Sequence, residues 1–269
     1  MSGIDIRIGK LFNGKKNLVI SAIDHVMEYG DQKGIETSRK AIEKCIKTDA
    51  LLLSRYSLLR NSDLFTSKSA PVPVVRINWT SGFYYPLDYK QGYTTIATDV
   101  EKAAEAGAEM VICSLFLEIN DEEQETKNVE IFSEVVRQKE KLGIPLIGEV
   151  YVIEHKSLTA DQLHLKVKRV SRIMAELGAD MVKAFYTHKF NEVVDNTPVP
   201  VFIIGAEKLA SDLDVLKKAE SSVEMGARGI IFGRNIFMAK DSEKMIAALN
   251  DVLNLNITAE NAASKYGLI

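Results

Sequence analysis

The amino-acid sequence predicts an α/β protein built as a single (β/α)8 TIM barrel, and three observations carry that prediction. Short apolar runs recur about every 30 residues, the length that a strand, a crossover helix and two loops consume. A stretch with the spacing of an amphipathic helix follows most of them. The runs are continuously apolar instead of alternating, as expected of parallel strands buried on both faces. Eight such runs in 269 residues fit a closed barrel better than an open doubly wound sheet. The open sheet would carry a glycine-rich dinucleotide turn after its first strand. Here the first run is followed by His25-Val26-Met27-Glu28-Tyr29-Gly30.

Taken in order, residues 1–17 precede the first strand and are expected to cap the barrel floor. The first run, 18–24, is apolar up to Asp24, and a helical period over 35–47 leads to the second, 50–54. The connection 56–73 has no clear helical period and reads as loop or broken helix before the third run, 74–77. Helices over 98–106 and 122–142 then alternate with runs 110–115 and 145–151. A helix over 160–177 leads to the run 181–185, and 201–204 follows. A helix over 212–225 precedes the last run, 229–232, and a helix over 242–253 closes the barrel. Gly107, Gly143, Gly178 and Gly226 stand where helices stop before strands, the position at which glycine tolerates a left-handed backbone. The tail 254–269 is polar, with no order assigned to it, and the whole chain, 1–269, reads as one catalytic domain.

Composition narrows the function classes. Apolar residues make up 46% and charged residues 26%, which excludes disorder, collagen and coiled coil. The net charge of −3 comes from 34 basic and 37 acidic residues with no block of like charge, so no nucleic-acid partner and no polybasic membrane contact is expected. The apolar runs are too short to span a bilayer. Charges at Asp5, Arg7 and Lys10 occupy the place where a signal peptide needs an apolar stretch. Cys45 and Cys113 lie in apolar segments and read as quiet buried thiols. A soluble cytoplasmic protein is expected, and glycosylation at Asn78 and Asn256 is not. Four histidines without metal-ligand spacing predict no zinc site.

In this fold, polar residues at the C-terminal ends of strands face the site. Lys183 lies among Met181, Val182, Ala184 and Phe185, so its ammonium should be desolvated and its pKa lowered. A neutral amine in an apolar barrel is what Schiff-base formation requires; an edge position or a buried ion pair is the structural alternative. Glu149 and Tyr151 share parity on the preceding strand and so point to one side. Tyr151 can shuttle a proton beside an amine or be a rim aromatic. Glu149 can orient Lys183 or form a buried salt bridge with it. Asp24 closes the first strand, where it can hold substrate hydroxyls, relay protons or cap a loop. Arg55 and Arg76, at the ends of strands two and three, can grip a distal anion or pair with surface acids. Gly205-Ala206-Glu207-Lys208 and Gly233-Arg234-Asn235 follow the last two runs. That is the usual phosphate-binding position of this fold, with glycines admitting backbone N–H groups and Arg234 adding a charge-assisted contact.

At these residues the sequence resembles the class I, Schiff-base aldolases of the archaeal-type fructose-bisphosphate aldolase group. That group is related to deoxyribose-phosphate aldolase, to aminodideoxyheptulosonate synthase and to the autoinducer-processing thiolase. The resemblance runs from Arg7 to Leu253. Its most specific parts are Ala22-Ile23-Asp24-His25, Gly178-Ala179-Asp180-Met181-Val182-Lys183, Pro198-Val199-Pro200-Val201 and Gly233-Arg234-Asn235-Ile236-Phe237. It implies that Lys183 is the Schiff-base lysine, Tyr151 the general acid/base and Asp24 the acid that assists carbinolamine handling. Gly205, Ala206, Gly233 and Arg234 fall on the group's phosphate-binding positions. There are departures. Val152-Ile153-Glu154 follows Tyr151 where the group often has Pro-Arg-Gly, Glu149 stands where its fructose-bisphosphate aldolases have tryptophan, and Gly205-Ala206 replaces a Gly-Gly pair. The implied activity is making or breaking a carbon–carbon bond of a ketose phosphate without cofactor or metal, in a homo-oligomer. Two alternatives stand beside it: a transaldolase-like or acyl-transferring relative of the heptulosonate synthase or thiolase type, and a barrel that binds a sugar phosphate without chemistry.

Overall fold

The computed structural model describes residues 2–83, 89 and 91–269. Eight parallel strands close into a barrel: β1 Leu18–Ala22, β2 Ala50–Leu53, β3 Val72–Arg76, β4 Met110–Leu115, β5 Leu146–Val150, β6 Met181–Ala184, β7 Val201–Ile204 and β8 Gly229–Phe232. These are the eight predicted runs, trimmed or extended by a residue or two. Each strand pairs with its neighbours in sequence, and β8 closes on β1 in the register Leu18 to Gly229, Val19 to Ile230, Ile20 to Ile231 and Ser21 to Phe232. Gly229, at φ +129°, lies so close to β1 that a Cβ there would stand 2.1 Å from the Leu18 carbonyl oxygen.

Strand parity divides the apolar residues into two layers. Val19, Leu51, Leu53, Val75, Val111 and Cys113 pack outward with the helices. Ile20, Leu52, Val74, Ile112, Ile147, Met181 and Phe202 fill the barrel axis. One step further toward the C-terminal ends, the same inward parity is taken by Arg76, Ser114, Glu149 and Lys183. The register sets Ser114 opposite Glu149 and Glu149 opposite Lys183. The barrel is therefore filled with hydrocarbon at the bottom and capped by one charged layer.

The N-terminal helix Gly3–Phe12 starts on a Ser2–Asp5 capping box. Leu11, Ile8 and Phe12 pack against the inner layer, and the Phe12 and Phe202 rings lie 6.4 Å apart. It closes the floor as expected. The 56–73 connection is a broken helix, with Arg55–Arg60 followed by a 3-10 turn at Ser62–Phe65. The long helices Glu122–Leu142, Ala160–Glu176, Asp212–Glu224 and Ser242–Asn254 cover the outside. All four glycine stops have positive φ.

The tail, to which the sequence assigned no order, carries a helix, Ala259–Tyr266. Thr258 caps it, Ala259, Ala262 and Ala263 are buried, and Lys265 Nζ lies 2.6 Å from Asp251. Its buried stripe is made of alanines, too small to register as an apolar face. No helix among the described residues is long and apolar enough to cross a membrane. Cys45 and Cys113 are free and buried, and burial pushes their thiols up to about 11 and about 12. Asn78, in a hairpin of Asn78–Thr80 with Thr94–Ile96, is spent inside the protein, exchanging hydrogen bonds with the Ser114 backbone.

Candidate active site

The charged layer is one connected network. Lys183 Nζ lies 2.5 Å from Glu149 Oε1, and the other carboxylate oxygen, Oε2, is 2.7 Å from Arg76 Nη1. Ser114 Oγ donates to Glu149 Oε2 and accepts from Arg76 Nη1 at 2.5 Å. On its other edge Arg76 donates through Nε and Nη2 to Asp24 Oδ2, both at 2.8 Å. Arg76, Asp24 and Glu149 are each only 2% exposed. Burial works to raise the Glu149 carboxyl, but Arg76 and Lys183 overcome it and hold Glu149 well below the usual carboxylate range.

Two readings are corrected here. Lys183 is buried as expected, at 5% exposure, but it is no isolated ammonium, because it is ion-paired to Glu149. Among the described residues, Arg76 pairs with buried acids of the barrel and not with surface ones. Two of its N–H edges are committed to Asp24 and Glu149 inside the barrel. Arg55 stands outside this cavity; its Nε donates to the Lys102 carbonyl and its guanidinium lies over the Tyr56 ring. Between the two roles open to Glu149, the buried salt bridge is present, and the same contact also orients the lysine.

Above the network is a small cavity of about 50 Å3. It brings together Asp24, Glu149, Tyr151, Lys183, Gly205, Ala206, Gly233 and Arg234. Tyr151 follows β5 and is no wet rim aromatic. It is 8% exposed and packed against Phe116 and Phe185, with ring centroids at 5.8 and 5.3 Å. The loops after β7 and β8 are stapled by Asn235, which is fully buried. Its amide donates to the Gly205 and Glu207 carbonyls and accepts from Leu209 N–H. Arg234 Nη2 donates to the Ala206 carbonyl at 2.8 Å. A Cβ on Gly233 would stand 2.3 Å from His25 Cε1 and 2.7 Å from the Ala22 oxygen, so only glycine fits there.

Sequence reasoning missed four polar residues of this region: His25, Glu28, Ser114 and Asn235. Ser114 was open to discovery, since it shares inward parity with Ile112 at the end of a strand. Asn235 sits in a quoted motif, but its stapling role needs the two loops in space. His25 sits in one of the motifs that carry the resemblance but was assigned no role, and Glu28 gave no signal, because the short helix Val26–Tyr29 that carries it inward has no periodicity to read. Burial takes the His25 imidazole down to about 4, against the opposing pull of Asp24, so it is neutral at pH 7. Among the described residues, no group of three or more histidine, cysteine, aspartate or glutamate side chains is arranged to hold a metal ion.

The chain is 29% identical over 263 residues to an uncharacterised aldolase of Saccharolobus solfataricus, covering 95% of this chain and 96% of that protein. It is 28% identical over 268 residues to the 3-hydroxy-5-phosphonooxypentane-2,4-dione thiolase of Yersinia pseudotuberculosis, covering 99% and 86%. A solved structure of a Schiff-base-forming fructose-1,6-bisphosphate aldolase shares the fold, with a TM-score of 0.77 and 23% identity over 93% of this chain and 99% of that one. The family model for the DeoC/LacD family aldolases matches residues 18–239, and the chain belongs to that family.

Proposed function

We propose that this protein is a class I aldolase that makes or breaks a carbon–carbon bond of a ketose phosphate through a Schiff base on Lys183. One observation carries the reading. A buried lysine amine at the bottom of the cavity shares that cavity with a tyrosine and with two glycine loops bearing an arginine. Tyr151 is the general acid/base, Asp24 assists the dehydration steps, and Gly205, Ala206, Gly233 and Arg234 hold the phosphate.

In the cleavage direction the Lys183 amine adds to the ketone carbon, and the carbonyl oxygen takes up a proton to give a carbinolamine. Loss of water leaves a protonated imine, which serves as the electron sink. Tyr151 takes the proton from the hydroxyl one carbon beyond the scissile bond. That bond breaks, its electron pair moves toward the iminium, and an aldehyde leaves with an enamine on the lysine. Protonation of the enamine carbon and hydrolysis return the amine and release the ketone. Glu149 fixes the amine. Held below the usual range, it is too weak a base to drive the proton transfers itself.

The Yersinia relative's thiolase name supports a second reading, in which the same barrel transfers an acyl group. Product analysis with acceptor aldehydes and with coenzyme A separates the two. The decisive experiment is borohydride reduction in the presence of ketose phosphates and dihydroxyacetone phosphate, read by intact and peptide mass spectrometry. A reduced adduct on Lys183 that is absent in Lys183→Met is expected. No adduct from folded protein with any member of the panel would overturn the Schiff-base reading and leave a binding-only barrel.

A further inference from the structure

Three buried side-chain atoms on the cavity lining have no hydrogen-bond partner: Arg234 Nε, His25 Nδ1 and Glu28 Oε1. An unpaired buried polar group is costly, and a ligand group is one way such atoms are satisfied. Arg234 belongs to the phosphate loops already described. Glu28 is different. It is 6% exposed and lines the cavity beside Asp24 and His25. Its Oε1 lies 3.7 Å from Arg76 Nε, beyond hydrogen-bonding reach.

The groups facing Glu28 are Asp24 and His25 from the loop after β1, Arg76 from β3, Glu149 from β5 and Lys183 from β6. Three carboxyls thus share one guanidinium, and Arg76 already binds Asp24 and Glu149 directly. When like charges share a site, one carboxyl keeps its proton. Burial pushes Glu28 well above the usual carboxylate range, with Asp24 adding to the effect and Arg76 opposing it. A neutral carboxyl can donate and accept, which matches a hydroxyl. An anionic group placed there would instead face the Asp24 carboxylate with no uncommitted cation beside it among the described residues.

Resting on the Schiff-base reading above, we propose that Glu28 is a specificity-determining residue that hydrogen-bonds a hydroxyl of the substrate at the β1 wall. The substrate then carries a phosphate for the loops after β7 and β8 and presents an uncharged, hydroxylated end to Glu28.

The test uses two probes that differ by one hydroxyl, dihydroxyacetone phosphate and hydroxyacetone phosphate. The readout is the concentration that half-saturates the borohydride-trapped Lys183 adduct. Wild-type protein is expected to prefer the hydroxylated probe by about fivefold or more, the worth of one net hydrogen bond. Glu28→Leu should abolish that preference, and Glu28→Gln, which keeps a donor and an acceptor, should retain it. Because the readout is a ratio, a partly unfolded variant does not mimic the effect. A preference absent in wild type, persisting in Glu28→Leu, or lost equally in Glu28→Gln would overturn the proposal. The last outcome would mean that a charged carboxylate is required. If neither probe forms an adduct on wild type, the Schiff-base reading itself has failed, a result distinct from all of these.

Discussion

Glu149→Gln puts the charged layer to its most direct test. The substitution keeps the side-chain shape but removes the carboxylate that meets Lys183 Nζ at 2.5 Å and Arg76 Nη1 at 2.7 Å. Arg76 retains Asp24 through two N–H groups, so the loss falls mainly on Lys183 and on one edge of the guanidinium. Removing one partner of a buried pair costs about 3–5 kcal/mol. With about 2.1 cal/mol/K of unfolding entropy per residue over 269 residues, that corresponds to a Tm lower by about 5–9 °C. The dependence on pH gives a second check. The folded-state pKa of Glu149 lies below its ordinary value of 4.5, so its contribution is complete above about 4.5 and is lost as pH falls toward the folded value. The wild-type advantage should be constant from pH 6 to 8 and narrow below 4.5. Calorimetry of both proteins across that range decides it. A Tm within about 1 °C of wild type at pH 7, or a gap that widens in acid, would refute the network as described.

Three further outcomes follow from individual residues. Gly229→Ala should destabilise by about 3 kcal/mol or more, measured by urea denaturation, because its Cβ would meet the Leu18 oxygen at 2.1 Å with φ at +129°; an unchanged midpoint would contradict the β8–β1 register. Ala206 sits at φ +55°, so Ala206→Gly should relieve left-handed strain and raise stability by about 0.5–1 kcal/mol after the entropic cost of glycine, and a lower Tm would contradict that conformation. Tyr151→Phe should still give the reduced Lys183 adduct while turnover falls about 100-fold or more, and loss of the adduct in a folded variant would remove Tyr151 from the role of proton carrier.

The barrel was legible because its signals are local. A buried parallel strand is apolar at every position, and the glycine stops mark the preceding helix ends, so strand count and spacing could be read along the chain. What failed to register lacked such a signal. The terminal helix Ala259–Tyr266 buries alanines, whose side chains are too small to stand out as a stripe. The hairpin strands Asn78–Thr80 and Thr94–Ile96 are three residues each and polar. The place of Lys183, Tyr151 and Asp24 on one cavity was legible because a polar residue at the C-terminal end of an apolar run has few structural reasons to be there. Their partners were less so. The ion pair of Lys183 with Glu149 depends on the β5–β6 register, and the double use of Arg76 depends on closure of the barrel across β1, β2 and β3. The inward turn of Glu28 depends on a four-residue helix.

The arrangement divides the site into a satisfied floor and an unsatisfied wall, and the division bears on mechanism. Arg76, Asp24, Ser114, Glu149 and Lys183 are bonded to one another before any substrate arrives, so the amine is positioned without cost at the moment of reaction. The same bonds make Glu149 a poor base, since Arg76 and Lys183 hold it below the usual range against burial. On the proposed reading, proton transfers at the amine therefore need a partner other than Glu149, and Tyr151 and the open mouth remain. Three of the buried unpaired atoms among the described residues, Arg234 Nε, His25 Nδ1 and Glu28 Oε1, belong to residues of the cavity lining, where on the proposed reading a substrate's phosphate and hydroxyls arrive. The floor sets where the amine stands, and on the proposed reading selection between substrates falls to the wall. Substitutions in the floor should accordingly cost stability and adduct formation with every substrate, whereas Glu28→Leu should weaken trapping of the hydroxylated probe and so remove the preference between the two.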